Sequence, residues 1–395
     1  MKLEGVCIPV SAAWSSPFVR WQGPAADVNS LDLAIQVTRR ALDARSVEWP
    51  FAELVLGMTV PQKESFFGGP TVAARAGFAH LPGVMIAQAC ATSVACIPAA
   101  AAAQQVSGDG ARLVVTTDRT SNSPYLLYPR PAAPGGAPDG ENWMLDNFER
   151  DPVTGHSMLW TAEGVAAEAG IEKAELDALA ARRYEQYLDA LADDRAFQRQ
   201  WMIPITVGTR REPVELEEDW GVRPVLLEQI RSLPPVQEGG VVSYATQTHP
   251  ADGTAGAVVT TPSTARALGV EGPLAHLLAT GFARVEPATM PKAPVPAARA
   301  ALRDAGLDVS DVHVIKTHNP FAVNDVWLGR ELGVDAGEVN PYGSSLVYGH
   351  PQGPTGTRGI VELMHALVRR GGGIGLFTGC AAGDTGAALL LEVDS

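Results

Sequence analysis

The stretch GSSLVYGHPQGPTGTRGIVEL, Gly343 to Leu363, sets a histidine between a glycine and a proline, with more glycines ahead of a helix-forming run. Glycine leaves the backbone bare, so a ligand or a second segment can approach His350 closely. SSLVYG (344–349) reads as a strand before the histidine. GTRGIVELMHALVRR (356–370) reads as a helix closed by the glycines at 371–373, and IGLFTG (374–379) as a strand running into Cys380. An earlier part of the chain has the same order. GVMIAQ (83–88) reads as a buried strand and Cys90 follows it. ATSVACIPAAAAAQQVSG (91–108) reads as a helix that must accommodate Pro98, and ARLVVTT (111–117) as the next strand. Cys90 to Leu113 spans 23 positions and His350 to Ile374 spans 24. Equal spacing points to an internal duplication, although a shared α/β architecture would also produce it.

The text between these units is different. Residues from about 120 to 242 are rich in Pro, Trp, Tyr and charge. PRPAAPGGAPDGEN (129–142) reads as a loop. Residues 161–194 read as helical, with Leu176, Leu179, Tyr184, Tyr187, Leu188 and Leu191 on one apolar face. YATQTHPADGTAGAVVTT (244–261) returns to small-residue, strand-like text. The expected organisation is an N-terminal half (1–119 and 243–270), an inserted segment (120–242) and a C-terminal half (271–395).

Composition bounds the function. A net charge of −14 over 395 residues argues against a nucleic-acid partner. No run of about 18 apolar residues is evident, so no membrane span is expected. The N-terminus lacks the pattern of a signal peptide. Cys7, Cys90, Cys96 and Cys380 have no regular spacing, which fits neither a disulfide framework nor a metal site. A cytoplasmic protein with reduced thiols is the expectation.

Four reactive groups fall at strand ends, where α/β active sites gather. Cys90 follows a strand and opens a helix, and helix-terminal N–H groups favour a thiolate there. A small buried cysteine is the other reading, and it suits Cys96 better. His350 can take a proton from a thiol. Cys380, in TGCAAGDTG, and His318 with Asn319, in THNPF (317–321), complete the set.

These residues resemble a family. NPYGSSLVYGHPQGPTGTR (340–358) is similar to the thiolase signature N-x-x-G-G-A-I-A-L-G-H-P-x-G-x-S-G-x-R, with Asn340, Gly343, Gly349, His350, Pro351, Gly353, Gly356 and Arg358 in place. QACATSVACI resembles the segment of the thiolase nucleophile, GCAAGDTGAALLLE the C-terminal C-x-G-G-G segment, and THPADGTAGAVV the family's S-G-x-N-D-G-A-A-A. The likeness spans nearly the whole chain. It implies an α/β thiolase-like fold, with two duplicated halves in five α-β-α-β-α layers and an inserted loop domain. It also implies cleavage or formation of the carbon–carbon bond of 3-oxoacyl-coenzyme A. Cys90 is then the nucleophile, His350 its base and Cys380 the acid/base. His350 and His318 hold the enolate oxygen, and the backbone N–H groups of Cys90 and Ala382 hold the acyl oxyanion. Coenzyme A enters as a substrate, with no tightly bound cofactor and no metal. Thr248 falls where the family has a serine near the pantetheine arm. Arg210, Arg211 and Arg223 are candidates for the phosphates, and Met158 and Met290 for the acyl pocket. The family implies a homodimer or homotetramer.

The chain also departs from the pattern. His318-Asn319-Pro320-Phe321 stands where many thiolases read N-E-A-F, which resembles the H-D-x-F of the sterol-carrier-protein-type branch. Some members of that branch work with a small OB-fold partner. Leu159 and Trp160 put bulk where the family has M-G-x-T-A-E, which suggests an unusual acyl group. Two other readings stay open. One is a ketosynthase-like condensing enzyme using Cys90, His318 and His350, which would not need Cys380. The other is a partner-dependent, thiolase-like subunit of a complex.

Overall fold

The structure is a computed structural model that describes residues 1–395 except 46, 109, 210, 224, 225 and 395. The main strands of the first half are β1 (Cys7–Pro9), β2 (Phe51–Gly57), β3 (Gly83–Ile86), β4 (Ala111–Arg119) and β5 (Ala251–Thr260). Four belong to the second: β6 (Leu274–Arg284), β7 (Val314–His318), β8 (Gly373–Ala381) and β9 (Thr385–Val393). They pair in the order β7-β8-β9-β6-β1-β5-β4-β2-β3. In the first half β2 is parallel to β4, β4 antiparallel to β5, and β5 antiparallel to β1. In the second half β7, β8, β9 and β6 repeat the same senses in the same chain order. The duplication read from spacing is therefore a duplication of topology. β3 and the two short strands that pair with β5, Ala13–Ser15 and Val19–Arg20, have no counterpart among the described residues.

Helices complete the layers. Among them are α1 (Ser30–Asp43), α2 (Thr92–Ser107), α3 (Leu145–Glu149), α4 (Met158–Ala169), α5 (Lys173–Arg195), α6 (Pro294–Ala305), α7 (Ala322–Leu332), α8 (Ser345–Tyr348) and α9 (Pro354–Arg370). α2 and α9 pack against each other between the two half-sheets. α1 packs on β4 and β5, and α6 on β6, β8 and β9. β5 is buried at every residue, and its sequence ADGTAGAVVT is mostly small, which lets helices close on both faces. The stretch Ala89–Ser107 is long and apolar enough to cross a bilayer, contrary to the reading of the sequence. It is apolar because α2 is the central core helix.

Several local expectations are corrected. SSLVYG is the single turn α8, because Ser344 caps its start by accepting from the Leu346 N–H, and Gly349 (φ +93°) ends it. β3 is an edge strand, with Val84 and Met85 43% and 42% exposed. The helix of 161–194 is two helices, broken at Gly170 in the left-handed region (φ +60°). On α5, Leu176, Leu179 and Tyr187 are buried, but Leu188 faces solvent. The last four residues of the expected loop, Asp139–Asn142, form a strand against Tyr125–Tyr128.

A buried ionic clamp ties the middle segment to α9. Asp219 accepts from both terminal nitrogens of Arg358, at 2.6 and 2.8 Å, and from the Tyr187 hydroxyl. Glu362 accepts from Arg358 Nε and from Tyr348, and pairs with Lys316. Every side chain of these ion pairs is at most 1% exposed. Removing one partner strands a charge in the interior, at a cost of about 3–5 kcal/mol. Asp219→Ala is therefore expected to lower the urea midpoint by that amount of stability. A loss under about 1 kcal/mol would mean that Glu362 alone satisfies Arg358.

Candidate active site

Local rules place Cys90 where β3 gives way to α2. Ala89 adopts φ +42°, and the Thr92 hydroxyl pins this turn by donating to the Ala89 carbonyl while accepting from the Gln88 N–H. The thiol of Cys90 then faces the loop that carries His350. That loop needs Gly349, since a Cβ there would lie 2.8 Å from His249 Nε2 and 2.9 Å from the Ala251 Cβ. The His350 N–H donates to the His249 carbonyl, and His350 Nδ1 meets the Thr355 hydroxyl at 2.6 Å. His318 ends β7, opposite Gly379 in the parallel pair with β8, and its Nδ1 meets Ser345 at 3.1 Å. Cys380 is the next residue on β8.

The ligand-capable atoms of Cys90, His318 and His350 lie within 4.8 Å of one another. Both imidazoles are buried, and among the described residues neither Nε2 makes a hydrogen bond of normal geometry, although the Gln352 side chain is near enough to raise the His350 pKa against burial. Their rings stack with centroids 4.0 Å apart at 25°. With Nδ1 of each ring engaged by Ser345 and Thr355, Nε2 is the nitrogen each ring has left to offer. A zinc ion, which bonds imidazole at about 2.0–2.1 Å, needs two nitrogen lone pairs that converge on one point. An oxygen atom at about 2.9 Å can accept from both.

Electrostatics corrects one expectation. Helix-terminal N–H groups were expected to favour a thiolate at Cys90. Burial instead pushes its thiol up to about 12, opposed by the N–H groups of Ala382 and of Cys90 itself, while Asp118 raises it further. Burial holds His318 down at about 3 and His350 well below its ordinary value. The resting pair is a neutral thiol beside a neutral imidazole. Cys380 is fully buried, and its thiol is raised well above the ordinary value by burial and then by Cys90. Asn324 of α7 donates to its sulfur at 3.2 Å.

A cavity of about 760 Å³ opens over Cys90, His350 and Ala382, and Met158, Met290 and Thr248 are in its wall. Leu159 lines it too, whereas Trp160 stacks on His156 and is 41% exposed. A second cavity of about 490 Å³ adjoins it at Gln247, Thr248 and Pro250. Arg223 lines this outer cavity together with Arg20. Among the described residues neither guanidinium has a carboxylate partner, and the charge of Arg223 helps hold the Arg20 pKa down. Arg211 lies in the turn between the strands Ile205–Gly208 and Pro213–Leu216, and lines neither cavity. Arg210 lies outside the described residues.

Sequence reading missed Arg20, Asn324, Asp118 and Gln352. Asp118, raised to about 7 by burial, accepts from the N–H groups of Thr59, Val60 and Gly353, and so clamps the His350 loop. The sequence offered one signal for Gln352, a polar side chain two positions after the histidine.

Known proteins agree with this arrangement. The family model for the thiolase N-terminal domain matches residues 8–263, and that for the thiolase C-terminal domain matches 271–393. The chain belongs to the thiolase family. It is 30% identical to the beta-ketothiolase BktB of Cupriavidus necator, over 94% of this chain and 95% of that one. It is 29% identical to an acetyl-CoA acetyltransferase of Pseudomonas aeruginosa, over 98% and 99%. Among solved structures, the acetyl-CoA acetyltransferase of Bacillus anthracis superposes with a TM-score of 0.91 at 27% identity, covering 99% of each chain.

Proposed function

We propose that this chain cleaves 3-oxoacyl-coenzyme A with a second coenzyme A, or runs the reverse Claisen condensation, through an acyl group on Cys90. The observation that carries this reading is the pair of unpartnered Nε2 atoms beside the Cys90 thiol, with a second buried cysteine behind it. His350 takes the Cys90 proton, and Cys90 attacks the 3-oxo carbon. The bond between C2 and C3 breaks, and Cys380 protonates the departing acetyl-CoA enolate. The enolate oxygen is held between His318 and His350. The N–H groups of Cys90 and Ala382 hold the oxyanion on the acyl carbon. Preorganised donors of this kind are worth about 3 kcal/mol each in the barrier. Incoming coenzyme A then gives its thiol proton to the Cys380 thiolate and attacks the thioester carbon; the bond to Cys90 breaks, and the leaving Cys90 sulfur takes its proton back from His350. The dependence on Cys380 separates this reading from a ketosynthase-like condensation.

Coenzyme A lies along the two joined cavities in this proposal, with Thr248 at their junction and its phosphates near Arg20 and Arg223. The segment 120–242 supplies Arg223, which supports its reading as a coenzyme A-binding insertion. The unpaired edge β3, with exposed Val84 and Met85 and the nearby exposed Phe66 and Phe67, suits a second copy of the chain. A cytoplasmic homodimer is the proposed state.

The test is intact-protein and peptide mass after mixing with acetyl-CoA and a series of 3-oxoacyl-CoA compounds. An acyl increment on the Cys90 peptide, absent in Cys90→Ala, is expected. A folded protein that alkylates at Cys90 but accepts no acyl group would sink the reading.

A further inference from the structure

Gln352 occupies the variable position of the histidine motif, yet it is built into the site. Its backbone is left-handed (φ +62°) and it is 4% exposed. Its carboxamide oxygen accepts from the Cys90 thiol at 3.2 Å. In the resting site the thiol donates to the oxygen and the N–H₂ group is left over; once Cys90 is acylated its sulfur has no proton, and the whole carboxamide, N–H₂ included, is free to meet the acyl group. The same side chain also bonds His350, whose pKa it raises against burial, and among the described residues no other protein acceptor meets the amide nitrogen, while Gln352 lines the inner cavity. An amide donor group thus stands within one amide's width of the sulfur that would carry the acyl group.

The rest of the wall agrees. Gln237 and Gln247 add two more carboxamides, and Asp146 and Glu149 add two carboxylates, while among the described residues no lysine or arginine lines this cavity. A chain ending in a carboxylate would meet repulsion and no cation. A plain alkyl chain would leave the Gln352 amide without a partner once the site closed, and a buried unpaired donor is costly. A neutral acyl group with an oxygen acceptor avoids both penalties.

We infer that Gln352 is a specificity-determining residue, whose amide N–H₂ donates to a neutral oxygen, hydroxyl or carbonyl, one or two carbons beyond the thioester carbon of the Cys90-bound acyl group. This rests on the thiolase reading above. Bond cleavage between C2 and C3 makes C3 of the substrate the thioester carbon, so the oxygen is carried at C4 or C5 of the 3-oxoacyl-CoA.

Three matched compounds test it: 5-hydroxy-3-oxohexanoyl-CoA, 3-oxohexanoyl-CoA and the carboxylated 3-oxoadipyl-CoA. The expected kcat/KM for the hydroxylated compound is about ten-fold or more above the alkyl one, with the carboxylated one poorest. In Gln352→Leu the hydroxyl/alkyl ratio is expected to fall to about one, whatever the absolute rate. Gln352→Asn, which tolerates a positive φ and draws the amide back, is the second variant and is expected to lose most of the ratio. Equal or faster cleavage of the alkyl compound, a preference for the carboxylated one, or a ratio that survives both substitutions would overturn the inference and leave the thiolase reading intact. Failure of all three compounds to acylate Cys90, with the thiol still open to iodoacetamide, would overturn the thiolase reading and this inference with it.

Discussion

His350→Ala is expected to slow acylation of Cys90 at pH 7 by about 10³–10⁴-fold, the upper range for loss of a positioned general base. The reason lies in the resting electrostatics. Burial pushes the Cys90 thiol up to about 12, and the same burial holds His350 far below its usual value. With such a thiol only about one molecule in 10⁵ is a thiolate at pH 7. The nucleophile therefore does not pre-exist as an ion pair, and the proton must move to His350 as the carbon–sulfur bond forms. Thr355 engages His350 Nδ1, which leaves Nε2 as the nitrogen that can take the proton in a cluster where the Cys90 and His350 ligand atoms lie within 4.8 Å. The pH dependence follows with a definite sign. A raised thiol pKa makes thiolate scarce at neutral pH and increases it about ten-fold per pH unit below 12. Acylation of His350→Ala should rise at that slope between pH 7 and 10, while the wild type, with its internal base, rises less. Parallel profiles for the two proteins would show that His350 is not the base.

The legible part of this molecule was the part that chemistry and backbone dictate locally. Glycines around His350 announced a close approach, and Gly349 meets His249 and Ala251 there. Equal spacing announced the repeat, because strand, turn and helix lengths are set by the thickness of one layer. The single turn α8 was misread, since four apolar residues fit strand or helix alike and only the Ser344 cap decides. The charge state of Cys90 was misread because burial depends on the other half of the molecule, which closes over the start of α2 where the Ser93 hydroxyl donates to the Gly353 carbonyl, 260 positions later. Arg20 and Arg223 are far apart in the chain and meet only in the fold. Gln352 looked like filler in a motif, and its role depends on a thiol that the sequence places 262 positions away.

Cys380→Ala should separate the two halves of the reaction. Acetyl-CoA incubated in deuterated water is expected to exchange its α-protons through reversible enolate formation. That exchange should fall about 10²–10⁴-fold in the variant, because no other proton acceptor replaces the lost thiol. Acylation of Cys90 by acetyl-CoA needs no α-proton, and the acetyl increment on its peptide should still form. The geometry supports this division. Cys380 is fully buried on β8 and takes its polar contact from Asn324, whereas Cys90 opens to the cavity with Gln352 and His350. Asn324 donates to the Cys380 sulfur, so it favours the thiolate that proton abstraction requires, against the burial and the Cys90 charge that oppose it. The same balance makes a Cys380 thiolate strongly basic when it forms, which the weakly acidic α-proton demands. Cys380→Ser keeps the shape and a proton-bearing group but not the sulfur's acidity, and is expected to fall near the alanine variant. Exchange that persists in both variants would move the base to the histidine pair. The site would then be a Cys-His-His condensing centre.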